Sequence, residues 1–196
     1  MTQSAPAAAL AVSGLIAYCR AGFEKELAAE LDDIAAEAGM IGYVRATPDT
    51  GFVIYECFEP VPLRELPEQA LDWRRPVFAR QLLPWFARVD ALPERDRATP
   101  IVAAVKASGQ RFCGVLLETP DTDEAKQRSG FCRRFTEPLS RALEKAGALR
   151  TSRTGLPVLH VVFTDAQTAW LAAALPGMVA PWPMGIPRLR MPSNAP

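Results

Sequence analysis

The chain has 196 residues, 49% of them apolar and 22% charged, with 22 basic and 22 acidic side chains and one histidine. That length allows one large domain or two small ones with a sizeable core. Zero net charge argues against a uniformly polyanion-binding surface, and four cysteines without a Cys-x-x-Cys spacing argue against a zinc centre or a disulfide framework.

Residues 1–13 are small and Ala-rich, with no basic region ahead of an apolar run, so they read as a frayed extension rather than a signal peptide. No apolar run reaches membrane-spanning length. Residues 14–19 read as a short apolar strand. Gly22 then opens a helix, in which Phe23, Leu27, Leu31 and Ile34 recur at helical spacing among acidic residues and Gly39 supplies the stop. Residues 40–46 and 51–57 read as two strands joined at the turn 47–50. A short helix is expected over 62–71, with Pro62 in its first turn, and a strand over 77–89 broken or bulged at Pro84. The order β-α-β-β-α-β is that of a ferredoxin-like unit, assigned to residues 14–92.

A second α/β unit is expected over 96–175. A helix opens at Thr99-Pro100 and ends at Gly109, and a strand covers 112–118. Residues 120–124 form a turn and N-cap for a long amphipathic helix with a kink or restart near Pro138. Phe131, Phe135, Leu139 and Leu143 make its apolar stripe, Gly147 ends it, and strands follow over 157–164 and 168–174. Six prolines in 176–196 rule out regular structure there, so this stretch reads as an extended linker to a further domain.

The neutral total conceals an asymmetry. Residues 1–95 hold 9 basic and 14 acidic residues, a balance of −5, whereas 96–196 hold 13 and 8, a balance of +5. Within 126–153 there are 8 basic residues against Glu137 and Glu144. Arg134, Arg141 and Lys145, spaced 7 and 4 apart, share a helical face, and cations so placed can hold phosphates without reading sequence. The candidate nucleic-acid contacts are Lys126, Arg128, Arg133, Arg134, Arg141 and Lys145. The competing reading of this stretch is a solvated helix face whose cations pair only with neighbouring carboxylates.

No residue is assigned to catalysis, to a cofactor or to a metal. GxGxxG after a strand, P-loop, GxSxG and HExxH patterns are all missing. The carboxylates show no pairing in an apolar context, and His160, in an apolar strand, reads as structural. The cysteines behave as small hydrophobes, as in a reducing, cytoplasmic setting.

Several segments carry a resemblance: 19–26 (Cys-Arg-Ala-Gly-Phe-Glu-Lys-Glu), 51–57 (Gly-Phe-Val-Ile-Tyr-Glu-Cys), 64–67 (Arg-Glu-Leu-Pro), 78–81 (Phe-Ala-Arg-Gln), 99–102 (Thr-Pro-Ile-Val), 131–136 (Phe-Cys-Arg-Arg-Phe-Thr) and 184–189 (Met-Gly-Ile-Pro-Arg-Leu). Taken in order across nearly the whole chain, they resemble the N-terminal region of the bacterial 23S ribosomal RNA ribose 2′-O-methyltransferase M family. The resemblance implies a ferredoxin-like domain followed by a THUMP RNA-binding domain. It also implies a linker over 176–196 to a methyltransferase domain that binds S-adenosylmethionine and methylates a cytidine ribose of 23S rRNA. No catalytic or cofactor residue of that family falls on this chain, so residues 1–196 alone are expected to be inactive and cofactor-free. The alternative is a protein-interaction module of ferredoxin-like fold with no RNA contact, because that fold hosts many functions. A small stand-alone enzyme is disfavoured by the missing constellation of acid, base and nucleophile.

Overall fold

The computed structural model describes residues 10–150, 155–175 and 177–187. Among the described residues there are seven strands: β1 (Ala11–Tyr18), β2 (Gly42–Ala46), β3 (Phe52–Pro62), β4 (Gln81–Val89), β5 (Gly114–Glu118), β6 (Val158–Phe163) and β7 (Ala169–Ala174). Three α-helices accompany them: α1 (Glu24–Glu37), α2 (Ala98–Ala107) and α3 (Asp123–Lys145). All seven strands join one sheet in the order β2-β3-β1-β4-β7-β6-β5. The first four have the order and antiparallel pairing of a ferredoxin-like unit. Only β5 and β6 are parallel.

The two expected units are therefore not separated by a gap in the sheet. Strand β4 pairs with β7 from Trp85↔Ala172 to Val89↔Ala169, and one apolar cluster runs from Leu27 and Leu31 of α1 to Leu139 and Leu143 of α3. The hydrogen-bonding edge left by the first unit is taken up by the second. The reading of residues 1–13 as an extension also changes: Leu10 and Val12 are buried, and β1 starts at Ala11, because Ala11 and Val12 pair with Pro62 and Val61. Residues 1–9 lie outside the described part.

Between β3 and β4 the expected helix over 62–71 shrinks to one 3-10 turn, Leu63–Glu65. Pro62 and Pro67 bracket it, and the loop beyond is fixed from α1 instead. The carboxylate of Glu30 accepts the backbone N–H groups of Val77, Phe78 and Ala79. Hydrogen bonds to a charged group contribute more than neutral ones, so Glu30→Ala is expected to cost about 1–3 kcal/mol. Amide hydrogen exchange at 77–79 should rise by more than at β1; unchanged exchange there would remove Glu30 from this role.

Pro84 does not break β4. It pairs with Leu15 on the β1 side and falls outside the ladder to β7, which begins at Trp85 and shifts register before Ala87. Pro138 likewise leaves α3 as one continuous helix of 23 residues. Residues 176–196, read as a free linker, are in part packed onto the sheet. Met178 and Ala180 are buried, the Ala180 N–H donates to Gln81 Oε1 at 2.9 Å, and the Met184 N–H donates to Glu118 Oε1 at 3.0 Å. A Cβ on Gly185 would lie 1.8 Å from the Arg80 carbonyl oxygen, so only glycine permits this approach. Residues 188–196 lie outside the described part.

Candidate nucleic-acid interface

Helix α3 begins where the sequence places it. Thr122 has extended backbone, and its side chain accepts the Ala125 N–H at 3.1 Å, satisfying one of the free amides of the first turn. Ala125, Cys132, Leu139 and Leu143 are buried on its inner face. Phe131 and Phe135 stack at 5.1 Å between centroids, and both meet Phe163 of β6 edge-on. This apolar seam fixes the rotation of the helix and so decides which cations face water.

The outer face carries Arg133, Arg134, Arg141 and Lys145, all exposed. Arg141 pairs with Glu137 one turn earlier at 2.8 Å, but both side chains are more than two-thirds exposed. Such pairs are worth at most about 1 kcal/mol, so Arg141 is readily released to a stronger anion. Arg133 and Arg134 form no ion pair among the described residues. The side chain of Lys126 lies outside the described part.

Arg128 does not join this face. Its side chain is 19% exposed and donates through Nη2 to the Thr164 carbonyl at 3.1 Å, tying α3 to the end of β6. Its Nη1 meets Glu124 at 3.4 Å. Arg128 is thus a structural tie, and the exposed row consists of Arg134, Arg141 and Lys145 with Arg133 beside it.

A second polar feature was not visible in the sequence. The three helices pack on one face of the sheet. On the other face, Glu118 of β5 and His160 of β6 are buried together, with His160 Nδ1 3.1 Å from Glu118 Oε2. The Tyr18 hydroxyl donates to the same oxygen at 3.3 Å. Burial pushes the Glu118 pKa up, but the hydrogen bond and charge of His160, then the Met184 N–H and Tyr18, more than offset this. Glu118 is held below the ordinary carboxylate range. Burial and then the Glu118 charge raise the Tyr18 pKa well above its ordinary value. The expectation that no carboxylate pairs in an apolar setting fails here. Glu118 and His160 are 42 residues apart, and only the parallel register Leu116↔His160 and Glu118↔Val162 puts them on one face.

No group of three or more His, Cys, Asp and Glu side chains among the described residues could hold a metal ion. Cys19 and Cys132 are buried thiols, raised by burial to about 12 and about 11, which makes them poor nucleophiles. Among the described residues no helix is long and apolar enough to cross a membrane.

Two family models match the sequence: the RlmM ferredoxin-like domain over residues 12–83, and the N-terminal region of ribosomal RNA large subunit methyltransferase M over residues 96–175. Similar proteins carry the name ribosomal RNA large subunit methyltransferase M. One from Thauera aminoaromatica is 80% identical over 196 residues, which is all of this chain and 54% of that protein. One from Azoarcus sp. strain BH72 is 71% identical over the same span, again 54% of its length. One from Shewanella woodyi is 42% identical over 93% of this chain and 51% of its own. The chain spans about half the length of the curated relatives it matches. Among solved structures, TrmN from Thermus thermophilus is similar at a TM-score of 0.48 and 19% identity, over 82% of this chain and 44% of that one.

Proposed function

Since the chain belongs to the ribosomal RNA large subunit methyltransferase M family, matching its N-terminal region, we propose that it is the RNA-positioning part of a 23S rRNA methyltransferase. In this reading residues 96–175 act as a THUMP domain. A following domain binds S-adenosylmethionine and methylates the ribose 2′-hydroxyl of a cytidine, and the protein works in the cytoplasm beside its rRNA substrate. Residues 1–196 supply neither the cofactor site nor the base for the 2′-hydroxyl. The packed segment 177–187 gives the next domain a fixed point of departure.

The observation that carries this reading is the exposed row Arg134, Arg141 and Lys145 on α3, with Arg133 beside it. Phosphates bound there would release counterions, so affinity should fall steeply with salt. Reversing Arg134 and Lys145 to glutamate should weaken binding to a 23S rRNA fragment more than reversing Arg45 and Arg64, which lie in the acidic half. It should also flatten the plot of log affinity against log salt by about 0.7–0.9 for each phosphate no longer held. Equal effects of the two pairs would reject the assignment.

A specific feature favours the second reading, a protein-docking module without RNA contact. Ile41 and Phe58 are about 70% exposed, and Phe58 packs on Tyr43 of the edge strand β2 at 5.9 Å. That reading predicts no salt-dependent RNA binding at all.

A further inference from the structure

The helix-free face of the sheet holds a cavity of about 440 Å³, within the range of small-molecule pockets. Trp73 and Trp182 form one side, in edge-to-face contact at 5.4 Å between centroids, and Trp182 stays 37% exposed. Arg74 lies over the Trp73 ring at 5.3 Å and pairs with Asp72 at 3.2 Å. Glu118 and His160 line the cavity. His160 is 1% exposed, and its Nε2 has no hydrogen-bond partner among the described residues, although the ring's other nitrogen is fixed on Glu118.

These features select a ligand. A buried carboxylate beside the cavity disfavours an anion, and Arg74, the one Lys or Arg lining it among the described residues, is already stacked and paired. Aromatic walls favour a flat ring, and stacking on such walls accepts any base. An orphaned imidazole nitrogen in an apolar wall is costly unless a polar partner arrives. Neutral, flat and polar at its edge describes a nucleobase turned out of its stack, which is how sequence-bearing contacts to RNA are commonly made. We propose that this cavity takes one unstacked base of the RNA, packed against the wall that Trp73 and Trp182 form together, with its polar edge toward His160. The proposal rests on the RNA-positioning reading. Since β5 is the edge strand and carries α3 on its other side, single-stranded RNA can pass from the α3 cations round that edge.

The test titrates the 196-residue chain with a short single-stranded RNA, with the same strand carrying abasic positions, and with nucleoside 5′-monophosphates. Tryptophan emission is the readout, and urea unfolding checks the fold of each variant. Trp85 and Trp170 are buried against one another, so the change should come from Trp73 and Trp182. Trp182→Ala and Leu116→Glu, the latter at an exposed position lining the cavity, should weaken binding of the intact strand by about 5- to 150-fold, the worth of one stacked base. The abasic strand should bind Trp182→Ala like the parent, and the salt slope of that variant should not change. Loss confined to the intact strand supports an RNA-borne base. If monophosphates saturate the emission change while the strand does not bind, a base pocket stands for free nucleotides, and the RNA-borne assignment falls with the platform reading. A strand that binds with full salt dependence but is indifferent to both variants overturns the pocket and leaves the α3 interface standing. No emission change with any nucleotide also overturns the pocket.

Discussion

Replacing His160 by alanine is expected to destabilise the chain by about 3–5 kcal/mol, measured by urea unfolding at neutral pH. The cause lies in what is left behind. Glu118 would remain buried as a carboxylate without its cationic or proton-donating neighbour, and an uncompensated buried charge is the costly state. The double variant Glu118→Leu/His160→Leu should recover most of that loss, because removing both members takes the desolvation penalty away with the pair. Additive losses in the double variant would show that the two side chains do not act as a unit. The pair also sets a pH dependence. The folded pKa of Glu118 is depressed, so its contribution is present above the unfolded carboxylate value of about 4.3 and is lost as pH falls through the lower folded value. Glu118→Gln should flatten the stability profile in that acid range and leave it unchanged above it. Because Glu118 also accepts the Met184 N–H, acid should loosen 177–187 before the rest of the sheet unfolds.

Gly14→Val should be at least as severe. Gly14 faces Glu56 in β3 and Trp85 in β4, next to a register shift in β1. A Cβ there would lie 1.9 Å from the Tyr55 carbonyl oxygen and 2.6 Å from Trp85 Nε1, which itself donates to that oxygen at 3.1 Å. No flexible side chain can give way, since the obstacle is backbone in the middle of the sheet. The loss should exceed about 4 kcal/mol, the exceptional class for single substitutions, or roughly 8–16 °C in melting temperature for a chain of this size. Gly130→Ala is the control. Inside α3 its Cβ would meet only Arg134 Nη1 at 3.9 Å, so it should gain about 0.5–1 kcal/mol. If both glycine variants behave alike, close approach is not what Gly14 provides.

Much of the architecture could be read from local pattern. Leu27 and Leu31 mark α1, the Thr122 cap and the Phe131–Phe135 stripe mark α3, and the turn 47–50 joins β2 to β3, because each signal lies within a few residues of what it specifies. The misreadings share a cause: each depends on a partner far along the chain. The loop before β4 is not a helix because Glu30, 47 residues earlier, captures its amides. Residues 177–187 are not a free linker because Gln81 and Glu118 accept their N–H groups across 99 and 66 residues. On α3 the spacing rightly put Arg134, Arg141 and Lys145 on one face. It could not show that Arg128 turns inward to Thr164, an arrangement set by where β6 ends.

The β4–β7 pairing has a consequence for how the chain is made. One edge of β4 is filled early by β1, whereas its other partner lies roughly 80 residues downstream. At translation rates of about 5–20 residues per second, that edge stays open for roughly 4–16 s after β4 itself has been synthesised. Throughout that interval the half-built sheet offers a row of free backbone donors and acceptors beside Leu82, Leu83 and Trp85, the kind of surface on which nascent chains pair wrongly with one another. Completion of the fold is therefore timed by the arrival of β7, and ribosome pausing between α2 and β6 should raise the fraction of chains lost to aggregation.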